Sequence, residues 1–65
     1  MSTQTFTVSG MTCQHCVASV TEEVSEVPGA ERVLVDLDSG TLTVEGEAAE
    51  TEIRKAVAEA GYQVA

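Results

Sequence analysis

The chain has 65 residues, 43% of them hydrophobic, and its acids outnumber its bases enough to give a net charge of −8. A chain this short forms one small domain with a marginal core, so it cannot enclose a large substrate. Because nucleic acid and anionic membranes are bound through Lys and Arg, this charge excludes both as partners. The first residues do not resemble a signal peptide and no run is long enough to span a membrane, so we expect a cytoplasmic protein with reduced thiols.

The first half of the chain predicts a strand followed by a helix. Residues 3–9 alternate between polar and apolar side chains, which is the period of a half-buried strand. Residues 14–27 predict a helix, because apolar side chains repeat there at spacings of three and four. These side chains are Val17, Val20, Val24 and Val27. Pro28 and Gly29 then end the helix.

The second half predicts a hairpin, a helix and a short strand. Residues 33–37 and 42–44 alternate, and Gly40 between them is typical of a hairpin turn. A second helical repeat follows, and Gly61 ends it. Its apolar members are Ile53, Ala56, Val57 and Ala60. Residues 62–65 predict the last strand.

The resulting order, β-α-β-β-α-β, predicts an α+β ferredoxin-like fold for residues 1–65, with two helices on one face of a four-stranded antiparallel sheet. Three junctions then share one edge of the sheet: residues 10–14, 38–40 and 60–62. We therefore expect Tyr62 near the cysteines of the first junction. Most acids fall at the opposite end, and Asp38 and Glu59 are the acids expected nearest this edge.

Cys13 and Cys16, in the stretch SGMTCQHCV, are the two cysteines of the chain. A disulfide between them would close a very short loop and gain little, and a thioredoxin-like redox pair belongs to a larger fold. A structural zinc site needs four ligands, and only His15 stands beside the pair. Two soft thiolates favour Cu(I) among the common cellular metals. The predicted helix start favours the negative charge that both thiolates carry.

The segment GMTCQHC at 10–16, the order of elements around it and GY at 61–62 resemble the heavy-metal-associated domain family. The resemblance covers essentially the whole chain and is closest to bacterial CopZ-type copper chaperones. It implies that Cys13 and Cys16 bind Cu(I) and pass it by thiolate exchange to the metal-binding domain of a copper-transporting P-type ATPase. The high acidity and the early end of the last strand depart from the family pattern.

Three neighbours of the cysteines each have two interpretations, and a fourth bears on the choice of metal. Met11 is expected to anchor the loop in the core rather than to bind metal. Thr12 is neutral where zinc- and cadmium-selective relatives often carry an acid, which favours copper. His15 is expected to be an exposed spacer in the monomer, although it is placed to join a metal in a dimer. Tyr62 either packs in the small core or shields the metal.

Three other functions compete with the carrier. The chain is alternatively a metal-binding domain cut from a copper ATPase, or a protein for mercury or another soft metal. An enzyme, either a disulfide reductase or a metal hydrolase, is disfavoured because no carboxylate or histidine pair accompanies the cysteines. We expect a monomer without metal, and a copper-bridged homodimer is left open.

Overall fold

The computed structural model describes residues 2–65 and has the predicted order of elements. Their bounds are β1 Thr3–Ser9, α1 Gln14–Ser25, β2 Ala30–Asp36, β3 Thr41–Gly46, α2 Glu50–Glu59 and β4 Gln63–Val64. The strands form one antiparallel sheet in the order β2-β3-β1-β4. This is the ferredoxin-like fold, as predicted. Neither helix is long and apolar enough to cross a membrane within the described residues.

The core lies between the sheet and the two helices. It is built from the helical and strand stripes that the sequence predicts. Its buried members are Phe6, Val8, Val20, Val24, Val27, Leu42, Val44, Ala48, Ile53, Ala56 and Val57. Between residues 2 and 65, no polar or charged residue is buried. The fold therefore depends on apolar packing, at about 25 cal/mol for each Å² removed from water.

α1 ends two residues earlier than predicted. Val27 is buried, as its place in the stripe requires, but it lies beyond the last helical residue, Ser25. The backbone N–H of Glu26 donates to Glu23 O at 3.3 Å, and that of Val27 donates to Val24 O at 3.0 Å. These tighter bonds close the last turn before Pro28, where the residue ahead of a proline is disfavoured in a helix.

β4 is shorter than predicted, with two residues in place of four. The backbone N–H of Tyr62 donates to Val57 O at 3.1 Å, so Tyr62 belongs to the turn that ends α2 rather than to the strand. Beyond the strand, Ala65 N–H donates to Thr7 O at 2.7 Å. The end of α2 therefore fixes the backbone of Tyr62.

Gly46, at the end of β3, lies against the chain that follows α1. We expect even a small side chain at this position to lower the stability of the fold. The φ of Gly46 is +124°, and an added Cβ would collide with the carbonyl oxygen of Gly29. Gly46→Ala should cost about 2–5 kcal/mol, because a conformational penalty adds to backbone overpacking. Chemical denaturation measures this loss.

Gly61→Ala is the matched control, because Gly61 also has a positive φ of +96° but an added Cβ meets nothing within 4 Å. It should lose only the conformational part, about 1–2 kcal/mol. Equal losses in the two variants would show that the close approach at Gly46 is unimportant.

Candidate metal centre

The two cysteines begin α1, and the helix start explains why they face each other. Cys13 is the N-cap, with extended backbone at φ −157° and ψ 175°, and its carbonyl accepts from the N–H of Cys16 at 3.0 Å. Cys16 is therefore the third residue of the helix. The N-cap residue and the third helical residue lie close together, as they do in a capping box. No side chain caps this helix and its first turn has no acid. The open N–H groups of a helix start favour a negative charge placed beside them.

The two sulfur atoms lie together at the surface as candidate metal ligands. Cys13 Sγ lies 3.7 Å from Cys16 Sγ, and both cysteines are free. Cys13 is exposed and Cys16 is half-buried. A metal–thiolate bond of about 2.3 Å would place two opposed sulfurs about 4.6 Å apart, so a small rotation of either side chain admits an ion. In the described part of the chain, no three His, Cys, Asp or Glu residues cluster as a metal site.

Thr12 and Tyr62 border the half-buried thiol. Thr12 Oγ1 lies 3.9 Å from Cys16 Sγ. The ring of Tyr62 packs against Gly10, where an added Cβ would lie 3.3 Å from Tyr62 Cδ1. Because Gly10 has no side chain and a φ of +95°, the tyrosine can close on the loop that carries the cysteines.

These contacts lower the pKa of the Cys16 thiol from its ordinary value of 9.0 to about 6. The largest cause is a hydrogen bond from the backbone at Thr12, followed by one from the Tyr62 hydroxyl. Partial desolvation opposes them, and bonds from Cys13 add a smaller lowering. The same hydrogen bond to Cys16 raises the pKa of Tyr62, because it stabilises the protonated phenol. Cys16 is thus a thiolate near neutral pH, ready to bind a metal.

The structure brings together some of the residues singled out in the sequence and separates others. Tyr62 reaches Cys16, as its predicted place at this edge requires. Met11 is half-buried against the core, and His15 is exposed. The role of Thr12 was missed: its hydroxyl and backbone contact the Cys16 thiol. The sequence could have indicated this contact, because the residue before an N-cap lies beside the side chains of the first helical turn.

Several acids lie together between the two helices. A groove between α1 and α2 is bordered by Glu23, Glu26, Glu52 and Glu59 together with Lys55, and neither cysteine lines it. Glu59, at the end of α2 that leads to Tyr62, also borders this groove. At the β2–β3 turn, Asp36 Oδ1 accepts from the backbone N–H groups of Asp38, at 3.0 Å, and Ser39, at 3.4 Å. The carboxylate of Asp36 therefore shapes this turn, in which Asp38 takes part through its backbone N–H.

Known proteins resemble this chain along nearly its whole length. The sequence pattern of the heavy-metal-associated domain matches residues 5–63. The copper chaperone CopZ of Enterococcus hirae is 41% identical over 63 residues, an alignment that covers 92% of this chain and 91% of that protein. Sequence and length thus agree with those of a protein named as a copper carrier.

Two further relatives have other names. A solved copper binding domain from a P-type ATPase superposes with a TM-score of 0.94 at 26% identity, covering all of this chain and 92% of that domain. The periplasmic component of the mercuric transport protein of Pseudomonas aeruginosa is 39% identical over 66 residues, covering 94% of this chain and 72% of that protein. The same fold is therefore associated with more than one task and more than one metal.

Because the Tyr62 hydroxyl lowers the pKa of Cys16, we expect Tyr62→Phe to change the titration of this thiol. Without the hydroxyl, the pKa of Cys16 should rise from about 6 towards its ordinary 9.0. Thiolate absorbance measured against pH in a Cys13→Ser background, with and without Tyr62→Phe, isolates this thiol. Overlapping titration curves would mean that the tyrosine does not stabilise the thiolate.

The same shift sets the sign of a stability change. The folded pKa lies below the unfolded one, so the stabilisation is full above about 9 and is lost as the pH falls through about 6. The melting temperature of the metal-free protein should therefore rise between these pH values, and rise less in Tyr62→Phe.

Proposed function

Because the chain belongs to the heavy-metal-associated domain family, we propose that residues 1–65 act as one such domain, a copper chaperone that binds Cu(I) through Cys13 and Cys16. The observation that carries the proposal is the pair of free thiols, with sulfurs 3.7 Å apart at the start of α1. Soft thiolates select Cu(I) among the common cellular metals. As a d¹⁰ ion, Cu(I) is satisfied by two sulfurs.

The site is better suited to carrying metal than to catalysis. An ion held only by the two protein sulfurs binds no water molecule that could be activated. The groove between α1 and α2 is lined by neither cysteine, so it offers no substrate site beside the thiols. Exposure of Cys13 lets an incoming thiolate reach the ion before either original sulfur leaves. A three-sulfur intermediate then moves the ion between proteins without releasing it into water.

The partner that fits this exchange is the metal-binding domain of a copper-transporting P-type ATPase. Such a domain shares the fold and the size of this chain, as the likeness to a solved ATPase domain illustrates. We place the carrier in the cytoplasm, as a monomer when metal-free. Two copies that meet through the exposed Cys13 sulfurs would form a copper-bridged homodimer, with His15 beside the ion.

Mercury is the second candidate cargo, and the likeness to a mercuric transport protein favours it. Hg(II) also prefers two thiolates, so the ligands do not separate the two ions. Competition titrations separate them, with Cu(I), Hg(II) and Zn(II) each titrated against a chelator of known affinity. The copper proposal expects one Cu(I) per chain and weak Zn(II) binding, because zinc needs more ligands than the pair offers.

Four single variants test the ligand assignment. Cys13→Ser and Cys16→Ser should each weaken Cu(I) binding by several orders of magnitude, because one sulfur remains. Met11→Leu and His15→Ala should still bind one ion, since the first side chain packs in the core and the second is exposed. Chelator competition with native mass spectrometry measures both affinity and stoichiometry. Loss of copper in a folded Met11→Leu protein would make Met11 a ligand.

Hand-over is tested by mixing the copper-loaded chain with a metal-free ATPase domain in excess chelator. Direct exchange should outpace capture by the chelator and should require both cysteines of the acceptor. An acceptor with both cysteines changed to serine is the control. Transfer no faster than dissociation into the chelator would replace the carrier with a copper store.

A further inference from the structure

β2 is the outer strand of the sheet on the side away from β4. In the strand order β2-β3-β1-β4 it pairs with β3 on one side, and between residues 2 and 65 no strand pairs with its other side. The chain continues from both ends of β2, into α1 before it and into the turn to β3 after it. The position of β2 at an edge therefore follows from the order of elements within the chain.

The backbone groups on this edge can be identified from the bonds on the inner side of the sheet. Gly46 N–H donates to Ser2 O at 2.8 Å, so even-numbered residues of β3 direct their peptide groups towards β1. These directions alternate along a strand, so odd-numbered residues of β3 bond to their even-numbered partners on β2. The outward groups of β2 are then those of Val33 and Val35, and each residue offers one N–H and one C=O.

The side chains of β2 form a symmetric pattern around Leu34. Among residues 2–65, Leu34 is the one large hydrophobic side chain that is exposed, at 47%. It lies midway between Arg32 and Asp36, which are both exposed and have opposite charges. Val33 and Val35 are half-buried against the core. From either end, the strand therefore presents a charge, a valine, a leucine, a valine and the opposite charge.

Both charges are available to a second chain. Arg32 lies across from Glu45 on β3, but in the described part of the chain no ion pair joins the two side chains. Asp36 Oδ1 accepts from the backbone N–H groups of Asp38 and Ser39. These bonds fix the carboxylate of Asp36 and leave its other oxygen, Oδ2, for a further partner.

We propose that the outer edge of β2 pairs with the β2 edge of a second copy of this chain, antiparallel and about a two-fold axis at Leu34. In such an isologous contact, each strand must complement its own reversed pattern. With Leu34 opposite itself, Val33 faces Val35 of the second copy, and Arg32 faces Asp36 of the second copy. Each valine pair exchanges both backbone hydrogen bonds, because the groups of both residues point outward.

Charge and hydrophobicity select this register over its neighbours. An axis at Val33 or Val35 would set Leu34 opposite a charged residue. An axis at Arg32 or Asp36 would set like charges directly opposite each other, which destabilises a strand pair, whereas opposite charges stabilise it. The axis at Leu34 therefore matches every side chain from 32 to 36.

The acids between the helices do not face this edge. α1 packs against β2 and against α2, and the groove between the helices is bordered by Glu23, Glu26, Glu52 and Glu59. These four acids lie on the side of α1 away from the β2 edge. At physiological ionic strength, charges more than about 8 Å apart are largely screened. The net charge of −8 therefore weakens the pairing without preventing it.

The pairing leaves the thiols open. β2 runs parallel to β1, so its end at Asp36 lies towards the cysteine edge, and a reversed copy places its own cysteines at the opposite end of the joined sheet. Pairing thus neither blocks nor requires metal transfer. Because a contact between two strand edges is small, we expect the metal-free chain to be a monomer in dilute solution and to pair as its concentration rises.

The test follows the metal-free chain in a reducing buffer by sedimentation and by amide exchange, from roughly 10 μM to about 1 mM protein. The dimer fraction should rise with concentration, and exchange of the Val33 and Val35 N–H groups should slow several-fold with it. Leu34 N–H, which bonds to β3, should not change. The variant Cys13→Ser/Cys16→Ser should behave in the same way, which separates this pairing from one through the cysteines.

Leu34→Lys places two lysines opposite each other on the axis, although it removes one unit of net negative charge. It should weaken association by roughly tenfold or more, and the fold should tolerate it because Leu34 is exposed. Ala58→Lys is the matched control, since Ala58 is exposed on α2 and the change in net charge is the same. This control should not weaken association.

An exchange of charges tests the register. Arg32→Glu and Asp36→Lys should each weaken association, because like charges then face each other. An equal mixture of the two variants should associate again, since the introduced acid faces the introduced base and the native Asp36 faces the native Arg32. Leu34→Lys serves if Asp36→Lys, which loses the carboxylate of the turn, does not fold.

Three results would overturn the proposal. A chain that stays monomeric at the highest concentration would exclude a second copy as the partner of this edge. Concentration-dependent shifts at Thr5 and Thr43, with unchanged exchange of Val33 and Val35, would place the contact on the open face of the sheet. Equal losses in Leu34→Lys and Ala58→Lys, or a mixture that fails to associate, would remove the pairing about Leu34.

Discussion

β1 and β3 pair with Phe6 opposite Leu42 and Gln4 opposite Val44, and this register decides which side of the sheet the helices cover. Side chains alternate along a strand, so a slip of one residue would turn Phe6 and Val8 to solvent and bring threonines inward. In a chain of 65 residues no second core could compensate. The place of α1 on the sheet, and hence of both cysteines, follows from this pairing.

The two cysteines lie at the start of a helix rather than inside a closed set of metal ligands. Cys13 occupies the N-cap position where Ser, Thr, Asp or Asn is usual, so the stability of a side-chain cap is given up for an exposed sulfur. In return, the open N–H groups, the Thr12 backbone and the Tyr62 hydroxyl favour the thiolate of Cys16. Cys16 is therefore a thiolate near neutral pH beside an exposed Cys13, an arrangement that suits the proposed carrier.

The two ends of β1 have different surroundings. The end at Ser9 leads into the loop packed by Tyr62 and pairs with β4, whereas the end at Thr3 pairs with β3. On the helix side of β1, Arg54 Cζ lies 5.8 Å from the centroid of the Phe6 ring. A cation above an aromatic ring contributes about 0.5–1 kcal/mol at an exposed site.

The sequence by itself determined the order of elements, the core stripes and the two thiols at the start of α1, because each depends on periodicity or on neighbours within one turn. Topology was enough to bring Tyr62 to the cysteine edge. Only the tertiary structure decided that its hydroxyl reaches Cys16, that Gly10 leaves room for its ring, and that Tyr62 belongs to the end of α2. The start of β4 at Gln63 was also decided there. These features depend on distances between segments far apart in the chain, which the register of the sheet and the packing of the helices set together.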